Sequence, residues 1–399
     1  MDGLNSLVRT LQLTIDCPWP ARTGGHLRNA HMAEAAQTMG PVLTLSLGHS
    51  SSAPEDLNVS TRHFPSFEGT VAWHRHHPKI RTMLEFGSDD LQFVADEVRK
   101  FEPDVCLLEG VGVAAALPIL EAFNIPVVLD MHNIESDLYR SIWRSSTPVR
   151  YLKDVLFGSK RWNGVRQFDR ESSLRATETW VTSDRDCSRL LSIGGAKAEV
   201  IPNPIPNEEF ARFPISADRY AAGRALFVGH LSYPPNISAA RELARKVWPP
   251  IHKLDQSASL LISGRTPTST VARLSGLAGI EVVADPERLD NIYETRGYSL
   301  MPIRQGGGTR LKVLEAMVAG VIVIATEKAI EGLGLEAGRQ YLRAETPTEF
   351  LDHFQHCRSN PSLTVEFAQG AKEFAVRKFG SVAFSAKVKC RLAKIKENF

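Results

Sequence analysis

At 399 residues, with 43% hydrophobic and 23% charged residues, the chain is long enough for two domains with separate cores, and its composition excludes fibrous and intrinsically disordered classes. A net charge of +2 leaves no overall nucleic-acid footprint, and no zinc-ligand spacing, RNA-binding signature or long basic tract suggests nucleic acid as a partner. Cys17, Cys106, Cys187, Cys357 and Cys390 are odd in number and scattered, a usage that fits a reducing cytoplasm better than a disulfide framework.

Apolar, strand-like runs recur in the first half at 11–15, 42–47, 105–108, 127–129 and 180–182, with helix-like stretches such as 27–39 and 91–101 between them. The N-terminus has no apolar stretch behind basic residues, so no secretory signal is expected, and no run approaches the ~20 apolar residues of a membrane span. Pro202, Pro204 and Pro206 then interrupt the pattern. Prolines so closely spaced cannot continue a helix or sit in a central strand, so this segment reads as a connector separating 1–205 from 206–380. A second strand series follows at 225–228, 260–263, 280–283, 298–303 and 321–325. The alternation predicts an α/β protein with parallel sheets covered on both faces, whose ligands bind beyond the carboxyl ends of the strands.

The stretch 301–331, MPIRQGGGTRLKVLEAMVAGVIVIATEKAIE, reads as strand, glycine-rich loop, helix and strand. Gly306, Gly307 and Gly308 allow a sharp turn and close backbone approach to a ligand. A helix over 309–318 would aim the free N–H groups of its first turn, around Thr309 and Leu311, at an anion. Arg304, Arg310 and Lys312 can add positive charge there. Glu315, about two turns into that helix, is placed to accept hydrogen bonds from the sugar hydroxyls of a nucleotide whose phosphates occupy the loop. The plain alternative is a tight turn between strand and helix in any α/β domain.

The whole block resembles the signature of the glycosyltransferase family 4 enzymes, retaining transferases of GT-B architecture. The resemblance implies two Rossmann-like domains facing across a cleft. The N-terminal one (1–205) would lie on the acceptor side, completed by a C-terminal helix over 381–399 that crosses back onto it, and 206–380 would bind a nucleotide-diphosphate sugar. In the family's commoner form two glutamates are separated by seven residues, the first contacting the donor sugar and the second the ribose. Here the second matches Glu315, and the first falls on Gly307, as in a GGGTR-type branch.

The first half carries further family-like marks. Asp16-Cys17-Pro18-Trp19-Pro20, followed by Gly24-Gly25-His26-Leu27-Arg28, resembles the opening P-x-P loop and GG-x-x-R helix start, which implies that Gly24 and Gly25 lie against the donor. Asp130-Met131-His132-Asn133-Ile134-Glu135 resembles an H-N-x-E segment whose histidine faces the donor sugar. An imidazole there can bond a hydroxyl in either protonation state, and a neutral one places no competing charge beside a developing oxocarbenium ion. The alternative is that Asp130 and His132 satisfy a strand end and that Glu135 caps the next helix. Asn203 stands at the family's I-P-N-G loop, where a turn role serves equally well. Gly229 and His230 correspond to a G-x-L loop whose amides approach the diphosphate, ahead of Tyr233-Pro234-Pro235-Asn236. His74, His76 and His77 read as a solvated loop rather than a metal site, and Asp184 to Asp186 as a helix cap.

The resemblance implies an enzyme of the EC 2.4 type that moves a sugar from a nucleotide-diphosphate sugar to an acceptor hydroxyl with retention, in polysaccharide, glycolipid or glycoconjugate biosynthesis. His132, Arg310, Lys312 and Glu315 would carry the chemistry, with no metal and no resident cofactor. The acceptor would be a saccharide, a lipid-linked sugar or a small molecule. Because Gly307 replaces a donor-contacting glutamate, a catalytically degenerate sugar-nucleotide-binding partner of another transferase is the competing reading. A cytoplasmic location follows, and the basic, aromatic-interleaved segment 150–175 suits either peripheral contact with an anionic membrane or ordinary solvated helices.

Overall fold

Short runs of Leu, Val and Thr set the strands, and the computed structural model describes residues 7–21, 23–48, 52–65, 70–71, 84–146, 148–306 and 310–399. In chain order the elements begin with β1 (Thr10–Thr14), α1 (Gly24–Gln37), β2 (Val42–Ser46), β3 (Val59–His63), β4 (Thr70–Val71), β5 (Leu84–Glu85), α2 (Ser88–Phe101) and β6 (Val105–Glu109). Next come α3 (Leu117–Ala122), β7 (Val127–Met131), α4 (Glu135–Ser146), α5 (Pro148–Arg175), β8 (Glu178–Val181), α6 (Asp184–Ser192) and β9 (Glu199–Val200). After the proline connector follow α7 (Ala217–Ala221), β10 (Arg224–Val228), α8 (Pro234–Glu242), α9 (Trp248–Leu254), β11 (Ser259–Gly264), α10 (Ser269–Ala272), β12 (Ile280–Ala284) and α11 (Asp290–Glu294). The chain closes with β13 (Tyr298–Met301), α12 (Leu311–Val318), β14 (Ile322–Ala325), β15 (Leu342–Arg343), α13 (Pro347–Ser359), α14 (Pro361–Phe379) and α15 (Ser381–Asn398). Two units result: 1–140 with 153–204 and 381–399, and 141–152 with 205–380.

The first unit is built on a parallel sheet of order β3-β2-β1-β6-β7-β8-β9, with β4 and β5 forming a small antiparallel pair apart from it. Strand residues alternate between its two faces. Cys106 and Leu108 join Leu11, Leu13 and Leu129 in one core, whereas Val105 and Leu107 join Val128 and Trp180 in the other. That second core takes Ala30 and Ala33 from α1 and Phe384, Val388, Leu392 and Ile395 from α15. The four α15 residues recur three or four apart and so share one helical face. Burying them is worth on the order of 6–12 kcal/mol as an upper bound. Arg391 adds an ion pair to Glu178 at 2.5 Å, which ties the last helix to β8.

The second unit has a parallel sheet of order β12-β11-β10-β13-β14-β15 and one continuous core. In each sheet the chain winds outward in both directions from one point, between β1 and β6 in the first and between β10 and β13 in the second. At such a switch point adjacent loops leave in opposite directions and open a crevice at the carboxyl edge.

Several boundaries differ from the sequence reading for local reasons. Helix α1 starts at Gly24, not near 27, because Thr23 caps it, its Oγ1 accepting from the His26 N–H at 3.2 Å. Helix α12 starts at Leu311 rather than 309. Strand β3 has the polar sequence VSTRH and pairs only with β2 at the sheet edge, so no apolar run announces it. Val200 still pairs with Val181 as β9 before Pro202, which lacks the N–H that would extend the ladder.

Candidate functional site

In the first unit the carboxyl edge beside the switch point carries a buried polar cluster. Glu109 ends β6 and lies in register with Asp130 of β7, and His132 follows that strand by one residue. Arg28, on the inward face of α1 and 1% exposed, forks onto Asp130, with Nε to Oδ2 and Nη2 to Oδ1 both at 2.6 Å. Its Nη1 donates to the Ile201 carbonyl and to Asn203 Oδ1, each at 2.9 Å. Asn203, read as a donor-binding or turn residue, is thus an anchor for Arg28. The guanidinium holds the Asp130 carboxyl well below the usual carboxylate range despite its burial.

Glu109 is wrapped from three sides. Gln12 of β1 donates to Oε1 at 2.9 Å and accepts from Thr44 Oγ1 at 2.9 Å. The Asn29 amide, oriented with its nitrogen toward these acceptors, is in donating reach of Glu109 Oε2, the Gly25 carbonyl and His132 Nε2, each at 3.1 Å. His132 Nε2 lies 3.3 Å from both Glu109 Oε2 and Asp130 Oδ2. Burial alone would lower the imidazole, but the two carboxylates outweigh it and push His132 up to about 9. Burial, and after it the Asp130 charge, also raise Glu109 above the usual carboxylate range. A Cβ built on Gly25 would lie 3.8 Å from His132 Nδ1, so this pair, sought from two distant motifs, does come together.

Glu135 does not cap α4 but is its first residue. The cap comes from Asp169 of α5, which accepts from the Ser136 N–H at 2.9 Å and fixes the turn carrying His132. Burial pushes Asp169 up to about 6, and burial with the neighbouring Asp169 charge pushes Glu135 up to about 8.

One ligand atom each from Glu109, Asp130 and His132 lies within 4.8 Å of the others, the spacing a cation could use. Those atoms already make the hydrogen bonds of the cluster, and Arg28 occupies Asp130 as its counter-charge. The cluster is complete as a proton-bonded network.

In the second unit the loops after β10 and β13 bring two cations together. Lys312, in the first turn of α12, donates to Asn236 Oδ1 at 2.8 Å and lies 4.7 Å from the centroid of the Phe227 ring. Arg310, the residue preceding α12, donates through Nη2 to the Gln305 carbonyl at 3.0 Å, while its Nε is buried without a partner. Burial lowers both cations, and the Arg310 charge adds to the effect on Lys312, which falls to about 7. Among the described residues neither is in an ion pair.

The glycines make room for these side chains. At Gly229 a Cβ would sit 2.7 Å from Lys312 Nζ and 2.9 Å from Asn236 Nδ2. At Gly306 it would meet Arg310 Nη2 at 2.7 Å, and φ there is +99°. The Gly229 N–H is spent on the Ser263 carbonyl at 3.0 Å, so this residue contributes space rather than the free amide inferred from sequence. Gly307, Gly308 and Thr309 lie outside the described residues, as do His74, His76 and His77.

Glu315 sits in the second turn of α12, its Oε1 accepting from Asn207 Nδ2 at 2.6 Å and its Oε2 from the Tyr293 hydroxyl at 3.3 Å. Burial pushes it up to about 7 against the pull of those bonds and of Lys312. Leu311 packs against the core. Arg304 is placed differently from its expected phosphate role, because Glu242 takes it at 2.9 Å and Glu345 at 3.2 Å.

Residues 222–360 match the family model described as "Glycosyl transferases group 1". A curated relative, described as an uncharacterized 44.6 kDa protein in the cps region of Klebsiella pneumoniae, is 23% identical over 94% of this chain and 97% of its own. HepE from Anabaena, solved in complex with UDP and glucose, is 13% identical with a TM-score of 0.67, over 97% of this chain and 100% of that one. Sucrose-phosphate synthase from Thermosynechococcus elongatus is 14% identical with a TM-score of 0.71, over 98% and 100%. These structures share the fold, two Rossmann-like parallel sheets of the GT-B glycosyltransferases, as the glycine block implied. Together with the group 1 match they support a glycosyltransferase of the EC 2.4 type. Among the described residues no helix is long and apolar enough to cross a membrane.

Sequence reasoning passed over Gln12, Asn29, Glu109, Asn207, Asp169 and Tyr293. The available signals were slight: a Gln inside the apolar run of β1 and a Glu closing VCLLE. Both are polar residues where a strand with two buried faces should be apolar.

Proposed function

We propose that the protein is a retaining GT-B glycosyltransferase of the family 4 type. It would move a sugar from a nucleoside diphosphate donor to an acceptor hydroxyl in polysaccharide assembly. The observation that carries this reading is the pair of desolvated cations, buried Arg310 and half-buried Lys312, at the switch point of the second sheet. Two like charges brought close together and desolvated disfavour each other, and a diphosphate relieves both penalties.

The same pair supplies what the reaction needs. Departure of the diphosphate builds negative charge, and prearranged cations stabilise it more in the transition state than in the ground state. Lys312 and Arg310 take the place that a divalent cation fills in other transferases, so the reaction is proposed to run without metal. Glu315, oriented by Asn207 and Tyr293, accepts from the ribose hydroxyls. The resemblance of the H-N-x-E segment supports His132 as a contact of the donor sugar. With retention, the departing phosphate accepts the proton of the acceptor hydroxyl on the same face, and no side chain is assigned as base. UDP is the first donor base to test because HepE was solved with it. The cps-region relative supports a saccharide or lipid-linked acceptor.

Thermal-shift measurements against UDP, GDP, ADP, TDP, CMP and their sugar conjugates, without added metal, test the reading. A ligand at ~100 times its dissociation constant adds about 2.7 kcal/mol if it binds only the folded state. One nucleoside diphosphate should stand out and lose its shift in Lys312→Ala. Slow release of free sugar from the matching donor marks a transferase rather than a non-catalytic binding partner. A flat response across the panel would overturn the proposal.

A further inference from the structure

Three cations, Arg304, Arg310 and Lys312, follow β13 closely in sequence, and the fold treats them differently. Arg304 is taken by two carboxylates, Glu242 and Glu345. Among the described residues the hydrogen-bond partners of Arg310 and Lys312 are neutral. The Arg310 guanidinium donates to the Gln305 carbonyl at 3.0 Å and to the Tyr233 hydroxyl. Lys312 Nζ donates to Asn236 Oδ1 at 2.8 Å and lies over the Phe227 ring. The acids that face the pair are Glu315 toward Lys312 and Glu331 toward Arg310, and both are engaged elsewhere. Glu315 accepts from Asn207 and Tyr293, and Glu331 pairs with Lys328 at 2.5 Å. The His230 ring, in the loop after β10, turns to the Ser232 hydroxyl at 3.1 Å.

Two of these neutral partners come from one short segment, Tyr233-Pro234-Pro235-Asn236, where the chain leaves that loop and enters α8. The prolines open the helix, fix φ there and need no amide partner, so the spacing of the Tyr233 and Asn236 side chains is set locally. Asn236 is 6% exposed, and both ends of its amide are used: Nδ2 donates to the His230 carbonyl at 2.9 Å while Oδ1 accepts from Lys312. A backbone carbonyl takes only a donor, so it decides which end of the amide turns to the ammonium. The Gly229 backbone closes in beside them, with room for no side chain of its own.

A carboxylate in the place of Asn236 would hold the ammonium more strongly and cancel its charge, as happens at Arg304. An amide oxygen fixes the position of Nζ and leaves the charge for an anion.

We propose that Asn236 is a positioning residue which, anchored by the His230 carbonyl, fixes the Lys312 ammonium in place for the diphosphate without neutralising it. Tyr233 does the same for Arg310. That the anion is a nucleoside diphosphate rests on the transferase reading. The hold of Asn236 on Lys312 does not.

A double-mutant cycle in the full-length protein tests the assignment, read as affinity for UDP or for whichever nucleoside diphosphate stands out in the thermal-shift panel. Asn236→Leu keeps the side-chain volume, removes the acceptor and should weaken the nucleotide about tenfold. In a Lys312→Met background the same change should weaken it less than about twofold, because Asn236 acts through Lys312. A purely structural role gives equal losses in both backgrounds, and that result, or no loss in Asn236→Leu, would overturn the proposal. The second measurement needs no ligand. An NMR titration of the Lys312 side chain should find the wild-type midpoint near 7, and Asn236→Leu should lower it by about one unit, since the charged form loses its acceptor. A midpoint unmoved by the substitution would also overturn the proposal. This titration decides alone where Lys312→Met binds too weakly to measure. If Asn236→Leu does not fold, Asn236→Ser, with a shorter neutral side chain, is taken through both measurements and should show smaller losses in the same pattern. A midpoint that falls as expected in a protein that binds no nucleoside diphosphate would leave the hold on Lys312 standing and remove the transferase reading instead.

Discussion

Replacing Arg28 by Met should be among the most damaging single changes in the first unit. The guanidinium makes four hydrogen bonds, two to Asp130 and one each to the Ile201 carbonyl and Asn203, from a position 1% exposed. It also lies 5.7 Å from the Phe384 ring, linking α1 to α15. Met fills similar volume but removes the bidentate partner of buried Asp130 and leaves it only the 3.3 Å contact with His132 Nε2, which costs about 3–5 kcal/mol. Asp130 then takes up a proton, which caps the loss. The double variant Arg28→Met/Asp130→Leu removes both charges and should recover at least half of it. Because two units need not unfold together, the measurement of choice is urea-dependent amide exchange over Val127–Met131. The penalty should also depend on pH in one direction. Arg28 depresses the folded Asp130, so the stability it confers is full above about pH 4 and fades as pH falls toward the folded value. A single-variant loss below about 1 kcal/mol, or a double variant no better than the single, would refute the reasoning.

The second unit supports three further predictions. Lys312 is held near 7, so a bound diphosphate should raise it and draw in a proton; calorimetry of UDP binding in buffers of different ionisation enthalpy should show uptake at pH 8 and little at pH 6. Gly229→Ala places a Cβ against the movable ends of Lys312 and Asn236, whereas in Gly264→Ala the Cβ would lie 1.7 Å from the Gly229 carbonyl oxygen at a φ of +148°. The first should change stability by less than about 1 kcal/mol while weakening UDP at least tenfold, and the second should impair folding outright, as denaturation and soluble yield would report. Glu315 is raised to about 7, so the folded state holds a proton the unfolded chain releases above about pH 4.3; stability should fall between those values, and Glu315→Gln should flatten that slope in thermal unfolding.

Much of the fold was legible because its signals are local. Near-continuous apolar runs locate central strands whatever they pair with, and three prolines from Pro202 to Pro206 mark a connector by covalent chemistry alone. Gly306 could be read for the same reason, since its positive φ is a property of the residue itself. Where burial on two faces does not apply the signal vanishes, and β3 at the sheet edge was missed.

The candidate site divides along the same line. Arg310, Lys312 and Glu315 stand on one short helix start, so their spacing alone places them near each other. Their electrostatics are not local. Lys312 is depressed by burial under Asn236 and Phe227, and Glu315 is oriented by Asn207, 108 residues away. Arg304 looks equivalent to Arg310 in sequence, yet Glu242 and Glu345 neutralise it once the sheet has formed. His132 was visible as a motif, but its partner Glu109 was not, and Asp130 is fixed by Arg28 from 102 residues away. The sequence by itself determined the strands, the glycine-rich turn and the chemical types at the carboxyl edges, because backbone geometry and hydrophobic period act over a few residues. Only the tertiary structure decided which charges are paired and where protons reside, because Coulomb interactions and desolvation depend on distances that exist only after distant segments pack.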